Sequence, residues 1–360
     1  MLRAILFLFL ASFTLFAFGQ ESQNVLKKPA SKVKLKSRMR VRSLQNFDDF
    51  LHWTLPQHMR SYALAEPQEI SMIEIGFSQA KDFIEWHGFF STHDPLVGKV
   101  SKRKGDLQAA RCLLTKIGEK IGDPVALAFA TEEALVKVVA YRDLKIDDQI
   151  VVPSGQGGGH LFSYRVDHVF NLWRGMPAFG LVGERGAAPI LLFRGTDFSL
   201  DSERGWASLM SDVDLSGPGL TAFTKARPEI RSWLTKVAQR GAKAKVIGFS
   251  LGGSLAAYTY LYENDWVNSE GCIAFNPPGL SEQVLEEWNR LAEDKKRAFR
   301  VYVNRGDVVS KIGKLFGNAY ELSLDHIPKP LKAHTVFLSA EEKFSQMKID
   351  VDQENLSRRL

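Results

Sequence analysis

The sequence contains very little cysteine. Only Cys112 and Cys272 occur among its 360 residues. A scaffold held together by several disulfides is therefore excluded, although a single bridge is compatible with an exported protein. Neither cysteine belongs to a Cys/His spacing of the kind that binds zinc, so we expect no metal site.

A broad surplus of charge is also missing. The formal net charge is +6, but eight basic residues and no acidic one lie in the basic strip, residues 27–42. Taking these eight from the 47 basic residues leaves 39 against 41 acidic ones. Nucleic-acid-binding proteins usually spread positive charge over a working face, so we expect no nucleic acid partner.

The basic strip itself has two interpretations. Every even position from Lys32 to Arg42 is basic, which would give an extended strand one basic face. One interpretation is a solvated linker or strand. The other is a surface that attracts the anionic headgroups of a membrane.

Long hydrophobic runs are absent after the first residues of the chain. Arg3 precedes an apolar run from Ala4 to Phe18, and the small residues Ala17 and Gly19 follow the spacing of a cleavage site. This pattern predicts a signal peptide at 1–19 and an exported protein, whether secreted, periplasmic or at the cell surface. An uncleaved anchor is the alternative, but the run is short for a full membrane span.

The rest of the chain divides into four regions. With 45% hydrophobic residues, the chain is long enough for one large α/β domain. From about residue 179, short apolar runs alternate with helical stretches, which is typical of a mostly parallel sheet with helices on both faces. We expect a basic linker or strand at 20–65, a mainly helical N-terminal extension at 66–150, an α/β region at 151–345 and a polar C-terminal tail at 346–360.

Individual elements can be predicted within these regions. Helices are expected at about 106–121 and from Thr131, where Thr131-Glu132-Glu133 is typical of a helix start. Strands are expected at 180–183, 190–193, 244–248, 272–275, 299–303 and 320–324. Further helices are expected at 220–240, 251–262 and 281–296.

The strongest chemical signal is Gly248-Phe249-Ser250-Leu251-Gly252, a Gly-x-Ser-x-Gly pattern between an apolar strand and a helix. A tight turn in this context lifts the serine hydroxyl clear of the sheet, and the helix N-terminus faces the reacting oxygen. The sequence therefore predicts that Ser250 is a nucleophile.

A second signal lies 54 positions upstream, in Phe193-Arg194-Gly195-Thr196 at the end of a predicted strand. Acyl transfer needs hydrogen-bond donors for the oxyanion that forms on attack. Thr196 has an amide and a hydroxyl to offer, and the amide of Leu251 follows the nucleophile. We predict that these two residues form an oxyanion hole.

Together, Phe-Arg-Gly-Thr and Gly-Phe-Ser-Leu-Gly-Gly resemble the class 3 lipase family, which includes the fungal triacylglycerol lipases. The resemblance covers roughly residues 180–335. It implies an α/β-hydrolase fold, a Ser-Asp-His triad in that chain order, no cofactor and an oxyanion donor at Thr196. It also implies a lipid or other ester substrate.

The acid and the base must follow Ser250 in this order. Asp307 comes after the predicted strand 299–303, and the carboxyl end of a strand is where an open α/β sheet places its chemistry. His326 and His334 are the two histidines after Asp307. We predict Asp307 as the acid and His334 as the base, with His326 as the alternative, and we expect the final helix to begin after the catalytic histidine.

An apolar stripe follows the predicted oxyanion strand. It has the i, i+3, i+4, i+7 spacing of one helix face and consists of Trp206, Leu209, Met210 and Val213. In the class 3 lipases this place similarly carries a lid over the site, so these residues are lid candidates. The alternative is that the stripe packs on the core.

These features predict a secreted serine ester hydrolase that acts on lipid esters, of the triacylglycerol lipase or phospholipase type. Two alternatives stay open. One is a catalytically retired hydrolase fold that binds lipid or membrane surfaces. The other is an acyltransferase that uses the same triad, because its first half-reaction is identical.

Overall fold

The computed structural model describes residues 84–87, 107–154, 160–172, 176–184, 186–196, 217–326, 330–341 and 343–357. The predicted signal peptide (1–19), the basic strip and the lid candidates Trp206, Leu209, Met210 and Val213 lie outside these residues. Within the described ranges, no helix combines the length and hydropathy needed to span a membrane.

A mixed sheet of ten described strands organises the fold, in the order β1-β10-β9-β8-β7-β6-β5-β4-β3-β2. The strands are β1 (Ile84–His87), β2 (Gln149–Pro153), β3 (Leu161–Asn171), β4 (Pro177–Gly183), β5 (Ile190–Phe193), β6 (Lys245–Phe249), β7 (Ile273–Phe275), β8 (Arg300–Asn304), β9 (Asn318–Leu324) and β10 (Lys343–Lys348).

The expectation of a mostly parallel sheet was too simple. Strands β5 to β9 are parallel, but the other pairings are antiparallel. The connections between β2, β3, β4 and β5 are shorter than the roughly dozen residues that a parallel crossover needs, so these strands must reverse direction. The parallel centre remains, and it carries the predicted site.

Helices cover both faces of this sheet. The described helices are α1 (Leu107–Lys120), α2 (Pro124–Lys137), α3 (Leu220–Gln239), α4 (Leu251–Tyr262), α5 (Glu282–Asn289), α6 (Glu293–Ala298), α7 (Pro330–Thr335) and α8 (Val351–Ser357). Side chains alternate along β6, so Ile247 and Phe249 join a core with α1 and α2. Val246 joins a second core with α3, α4 and α5.

Within the region expected to be a helical N-terminal extension, the described helices α1 and α2 pack on one face of the sheet. Helix α2 starts earlier than expected. Asp123 caps it by accepting a hydrogen bond from the amide of Ala126 (2.7 Å), and Pro124 occupies the first turn. The predicted start at Thr131 was wrong, because Glu132 and Glu133 are buried in mid-helix.

The C-terminal region also differs from the expected tail and final helix. Helix α7 ends at Thr335, a 3₁₀ turn follows at Leu338–Ala340, and β10 then joins the sheet. Helix α8 docks through Asn355, which bonds both the amide (2.7 Å) and the carbonyl (2.8 Å) of Leu315. Residues 343–357 thus contribute to the fold.

Candidate active site

Ser250 occupies a sharp turn between β6 and α4. Its backbone has φ +55° and ψ −131°, a conformation that a non-glycine residue rarely adopts. Its amide donates to the carbonyl of Phe275 on β7 (2.9 Å), which ties the turn to the sheet. The turn also explains both flanking glycines, because a Cβ on Gly248 would collide with the Gly252 carbonyl, and one on Gly252 would lie 2.6 Å from the Phe193 carbonyl.

The three residues predicted as a triad come together at the carboxyl ends of the parallel strands. His334 Nε2 lies 2.9 Å from Ser250 Oγ, and His334 Nδ1 lies 3.0 Å from Asp307 Oδ1. All three side chains are buried. His326, the alternative base, lies exposed after β9.

The carboxylate of Asp307 is held by its own loop after β8. Its Oδ1 accepts from the amide of Val309 (2.9 Å), and its Oδ2 accepts from the hydroxyl of Ser310 (2.7 Å). The bond to the amide two residues on is an Asx turn, which asparagine and aspartate form readily. Ser310 was not predicted as a site residue, although a serine three residues after the acid is the available signal.

Two buried asparagines hold the backbone at His334. Asn276, at the end of β7, donates to the carbonyl of His334 (2.8 Å), and Asn304, at the end of β8, donates to that of Ala333 (2.7 Å). Asn276 has φ +47°, in the left-handed region. Phe249 stacks on the His334 ring, with centroids 5.0 Å apart. The imidazole is therefore fixed through both its ring and its backbone.

The predicted oxyanion residues lie beside Ser250. A Cβ on Gly195 would lie 2.9 Å from the Cβ of Ser250, so the backbone leading into Thr196 passes directly against the nucleophile. Thr196 is 5% exposed, and its hydroxyl has no hydrogen-bond partner among the described residues. As the first residue of α4, Leu251 has an amide without a helical partner. The site thus presents donors next to the serine.

A tyrosine from the N-terminal layer supports this loop. The hydroxyl of Tyr141 donates to the carbonyl of Thr196 (3.4 Å), and the Arg194 guanidinium lies over the Tyr141 ring at 4.8 Å. Sequence reasoning missed Tyr141, because no local pattern connects it with residues more than fifty positions away.

The described residues contain neither a metal-binding cluster nor a disulfide. No group of three or more His, Cys, Asp or Glu side chains within the described ranges is arranged to hold a metal ion. Cys112 is exposed and Cys272 is buried, and both are free thiols.

Comparison with solved structures gives fungal lipases. A Rhizomucor miehei lipase in complex with its propeptide is 14% identical, with a TM-score of 0.37, and the match covers 54% of this chain and 64% of that one. The Lip2 lipase of Yarrowia lipolytica is 16% identical, with a TM-score of 0.36, over 52% of this chain and 71% of that one. A triacylglycerol lipase from Penicillium expansum is 13% identical, with a TM-score of 0.35, over 61% of this chain and 82% of that one. No family model and no curated protein matches the sequence.

Proposed function

We propose that this chain is an exported serine ester hydrolase that acts on lipid esters, as a triacylglycerol lipase or phospholipase. The observation that carries the proposal is the hydrogen-bond series from Ser250 Oγ through His334 to Asp307, with separations of 2.9 and 3.0 Å. A general base must lie within hydrogen-bond reach of the proton it removes, and a third group must orient that base. Both conditions are met in a buried site.

The geometry supports a two-step mechanism. Ser250 Oγ attacks the ester carbonyl while His334 Nε2 takes the serine proton, and the Leu251 amide and the Thr196 donors bind the oxyanion. His334 then gives the proton to the leaving alcohol, which leaves an acyl group on Ser250. A water molecule attacks this acyl-enzyme as His334 removes one of its protons. His334 then returns the proton to Ser250 Oγ as the bond from Oγ to the acyl carbon breaks and the carboxylic acid departs. Asp307 keeps the imidazole in the required tautomer and stabilises its charged form.

The lipid class of the substrate rests on the resemblance of the two motifs, Phe193–Thr196 and Gly248–Gly253, to those of the class 3 lipases. p-Nitrophenyl esters of short and long acyl chains, a triacylglycerol emulsion and phospholipid vesicles form a suitable substrate panel. We expect turnover of long-chain esters that Ser250→Ala abolishes while the unfolding midpoint stays near that of the wild type. The hydrolase proposal fails if the purified wild type has no turnover that this substitution removes.

Two other functions make different predictions in the same assay. A retired, lipid-binding fold would bind vesicles without turnover, and the 2.9 Å contact between His334 and Ser250 argues against this reading. An acyltransferase would share the acyl-enzyme and pass it to an alcohol. Product analysis with an added alcohol distinguishes the acyltransferase from the hydrolase. A hydrolase releases mainly free acid in water, whereas an acyltransferase forms the new ester.

The basic strip is proposed as a contact with an anionic membrane surface. Its eight basic residues would each add about 1 kcal/mol of attraction near such a surface. Flotation of the chain with and without residues 27–42 tests this, using phosphatidylcholine vesicles with and without phosphatidylserine. Equal flotation of both chains on the anionic vesicles would contradict the contact.

A further inference from the structure

A buried ion pair on α2 lies next to the histidine and takes no part in the mechanism above. Glu133 and Lys137 are one helical turn apart, with Lys137 Nζ 2.9 Å from Glu133 Oε1. Their side chains are 0% and 4% exposed, respectively. Burying charges raises the free energy of the folded state unless further hydrogen bonds satisfy them. The other hydrogen-bond partners of this pair therefore indicate its role.

Within the described ranges, the other hydrogen-bond partners of the pair all belong to the segment just after His334. Lys137 Nζ donates to the carbonyl of Val336 (2.6 Å). Glu133 Oε1 accepts from the amide of Leu338 (2.7 Å). Glu133 Oε2 accepts from the amide (2.8 Å) and the hydroxyl (2.6 Å) of Ser339. The charges thus hold three residues of the segment 336–339, namely Val336, Leu338 and Ser339, against the helix.

Two sets of contacts connect the Glu133–Lys137 pair with the imidazole of His334. The amide of Val336 donates to the carbonyl of Lys332 (2.8 Å), so a fixed Val336 also fixes the end of α7, which carries His334. Lys137 Nζ lies 5.6 Å from the centroid of the Phe249 ring, and that ring stacks on His334. The pair therefore contacts both the chain that leaves His334 and the ring that packs on it.

We propose that the Glu133–Lys137 pair is a positioning device that holds His334 in register with Ser250 and Asp307. The inference rests on the proposed hydrolase function, which it extends from the triad to the N-terminal helical layer. Neither side chain touches the reacting atoms, so its effect is on the placement of the imidazole. A displacement of about 1 Å in a catalytic group can cost about 100-fold in rate.

The neighbouring residue on α2 offers a matched control. Glu132 is also buried, and its Oε1 lies 3.1 Å from Arg300 at the start of β8. That ion pair belongs to the same helix, but it lies at the opposite end of β8 from Asn304, after which Asp307 follows. A general loss of charge in α2 would affect both pairs, whereas a positioning effect is confined to Glu133 and Lys137.

The test uses Glu133→Gln in the full chain, with Glu132→Gln as the control. Both oxygens of Glu133 accept two hydrogen bonds, at least one of them from a nitrogen that can only donate. A glutamine NH₂ group therefore faces such a donor whichever way the amide is turned. For a p-nitrophenyl ester, we expect kcat to fall roughly 10- to 100-fold with KM changed by less than about twofold. Glu132→Gln should leave both constants within about twofold of the wild type.

Ser339→Ala keeps the test decisive if Glu133→Gln does not fold. It removes only the hydroxyl that bonds Glu133 Oε2 at 2.6 Å and leaves the Ser339 amide in place. We expect a fall in kcat of roughly 3- to 10-fold with KM unchanged. A folded Glu133→Gln with wild-type kcat overturns the proposal, as does an unchanged Ser339→Ala when Glu133→Gln cannot be prepared.

A spectroscopic readout separates this inference from the proposed function. We expect the proton between His334 Nδ1 and Asp307 Oδ1, which lie 3.0 Å apart, to give a downfield ¹H resonance that can be followed without any substrate. We expect Glu133→Gln to shift or broaden this resonance and Glu132→Gln to leave it in place. Absence of ester turnover in the wild type would contradict the hydrolase, whereas a resonance unmoved by Glu133→Gln would contradict the positioning role alone.

Discussion

Carboxylates are buried at both ends of the parallel strands, but the hydrogen bonds that these carboxylates accept differ between the two ends. At the carboxyl ends, the two oxygens of Asp307 accept hydrogen bonds from an amide, a hydroxyl and His334. At the amino ends, Glu132 contacts Arg300, and its Oε2 has no hydrogen-bond partner among the described residues. Desolvation by burial raises the pKa of Glu132, although the positive charges of Arg300 and Lys245 act in the opposite direction.

This difference follows from what each end of a strand can offer. Loops at the carboxyl ends present amides and short polar side chains, and the first turn of α4 adds an unpaired amide beside Ser250. At the amino ends, burial also raises the pKa of the Cys272 thiol to about 12. The carboxyl ends of the strands thus offer hydrogen bonds that stabilise a carboxylate. At the amino ends, burial disfavours the charged forms of Glu132 and Cys272.

Among the variants that test this comparison, Asp307→Asn is expected to have the largest effect on kcat. The asparagine keeps the size of the side chain, and its carbonyl can still accept from His334 if Ser310 turns from donor to acceptor. The negative charge that stabilises the imidazolium is lost, so we expect kcat to fall roughly 10²- to 10⁴-fold. Steady-state kinetics measures this loss, with Asp294→Asn on α6 as the control. An activity within tenfold of the wild type would mean that the charge at this end is not used.

A smaller loss is expected from Thr196→Val. The substitution removes a buried hydroxyl that has no partner among the described residues and keeps the branched shape and the amide. If this hydroxyl binds the oxyanion, kcat should fall about 10²-fold with KM unchanged. The free energy of unfolding should not fall, because no hydrogen bond within the described fold is lost.

Thr259→Val is the matched control for this substitution. The Thr259 hydroxyl is also buried, but it donates to the carbonyl of Leu255 within α4 (2.8 Å), far along the helix from Ser250. We expect it to lower the free energy of unfolding by about 1 kcal/mol and to leave kcat unchanged. The oxyanion assignment of Thr196 would be wrong if both variants lost only stability.

Local patterns explain which parts of this comparison could be predicted. The turn at Ser250 requires glycine at positions fixed relative to the serine, and the strands and helices around it have regular apolar spacing, so both can be predicted from short segments. The choice of His334 over His326 was made on a helix expected to begin after the histidine, but α7 ends at Thr335. The placement of His334 depends on where Asn276 and Asn304 hold the backbone, and these contacts join residues 29 and 58 positions apart.

The N-terminal layer was misread for a related reason. Thr131-Glu132-Glu133 has the composition of a helix start, and charged residues in sequence usually indicate a solvated surface. Here both carboxylates are buried because their partners come from the far end of the chain, up to 206 positions away. No periodicity within α2 could reveal such partners. The short connection between 180–183 and 190–193 did predict a hairpin, and β4 and β5 are antiparallel.

The smallest expected effect concerns the amino end and appears in stability rather than rate. The raised pKa of Glu132 means that the folded state binds its proton more tightly than the unfolded state. The stabilisation is fully present below the unfolded value, near 4.5, and is lost as pH rises through the folded pKa. Glu132→Gln stays neutral, so its free energy of unfolding relative to the wild type should increase over this window by up to about 1.4 kcal/mol per pH unit. Urea unfolding across the window measures the trend, with the exposed Glu270→Gln as the surface control.

The outcome that would contradict this prediction is a difference in the free energy of unfolding between Glu132→Gln and the wild type that stays constant with pH, or that moves in favour of the wild type. Glu132 at the amino end would then be stabilised in its charged form as well as Asp307 is at the carboxyl end.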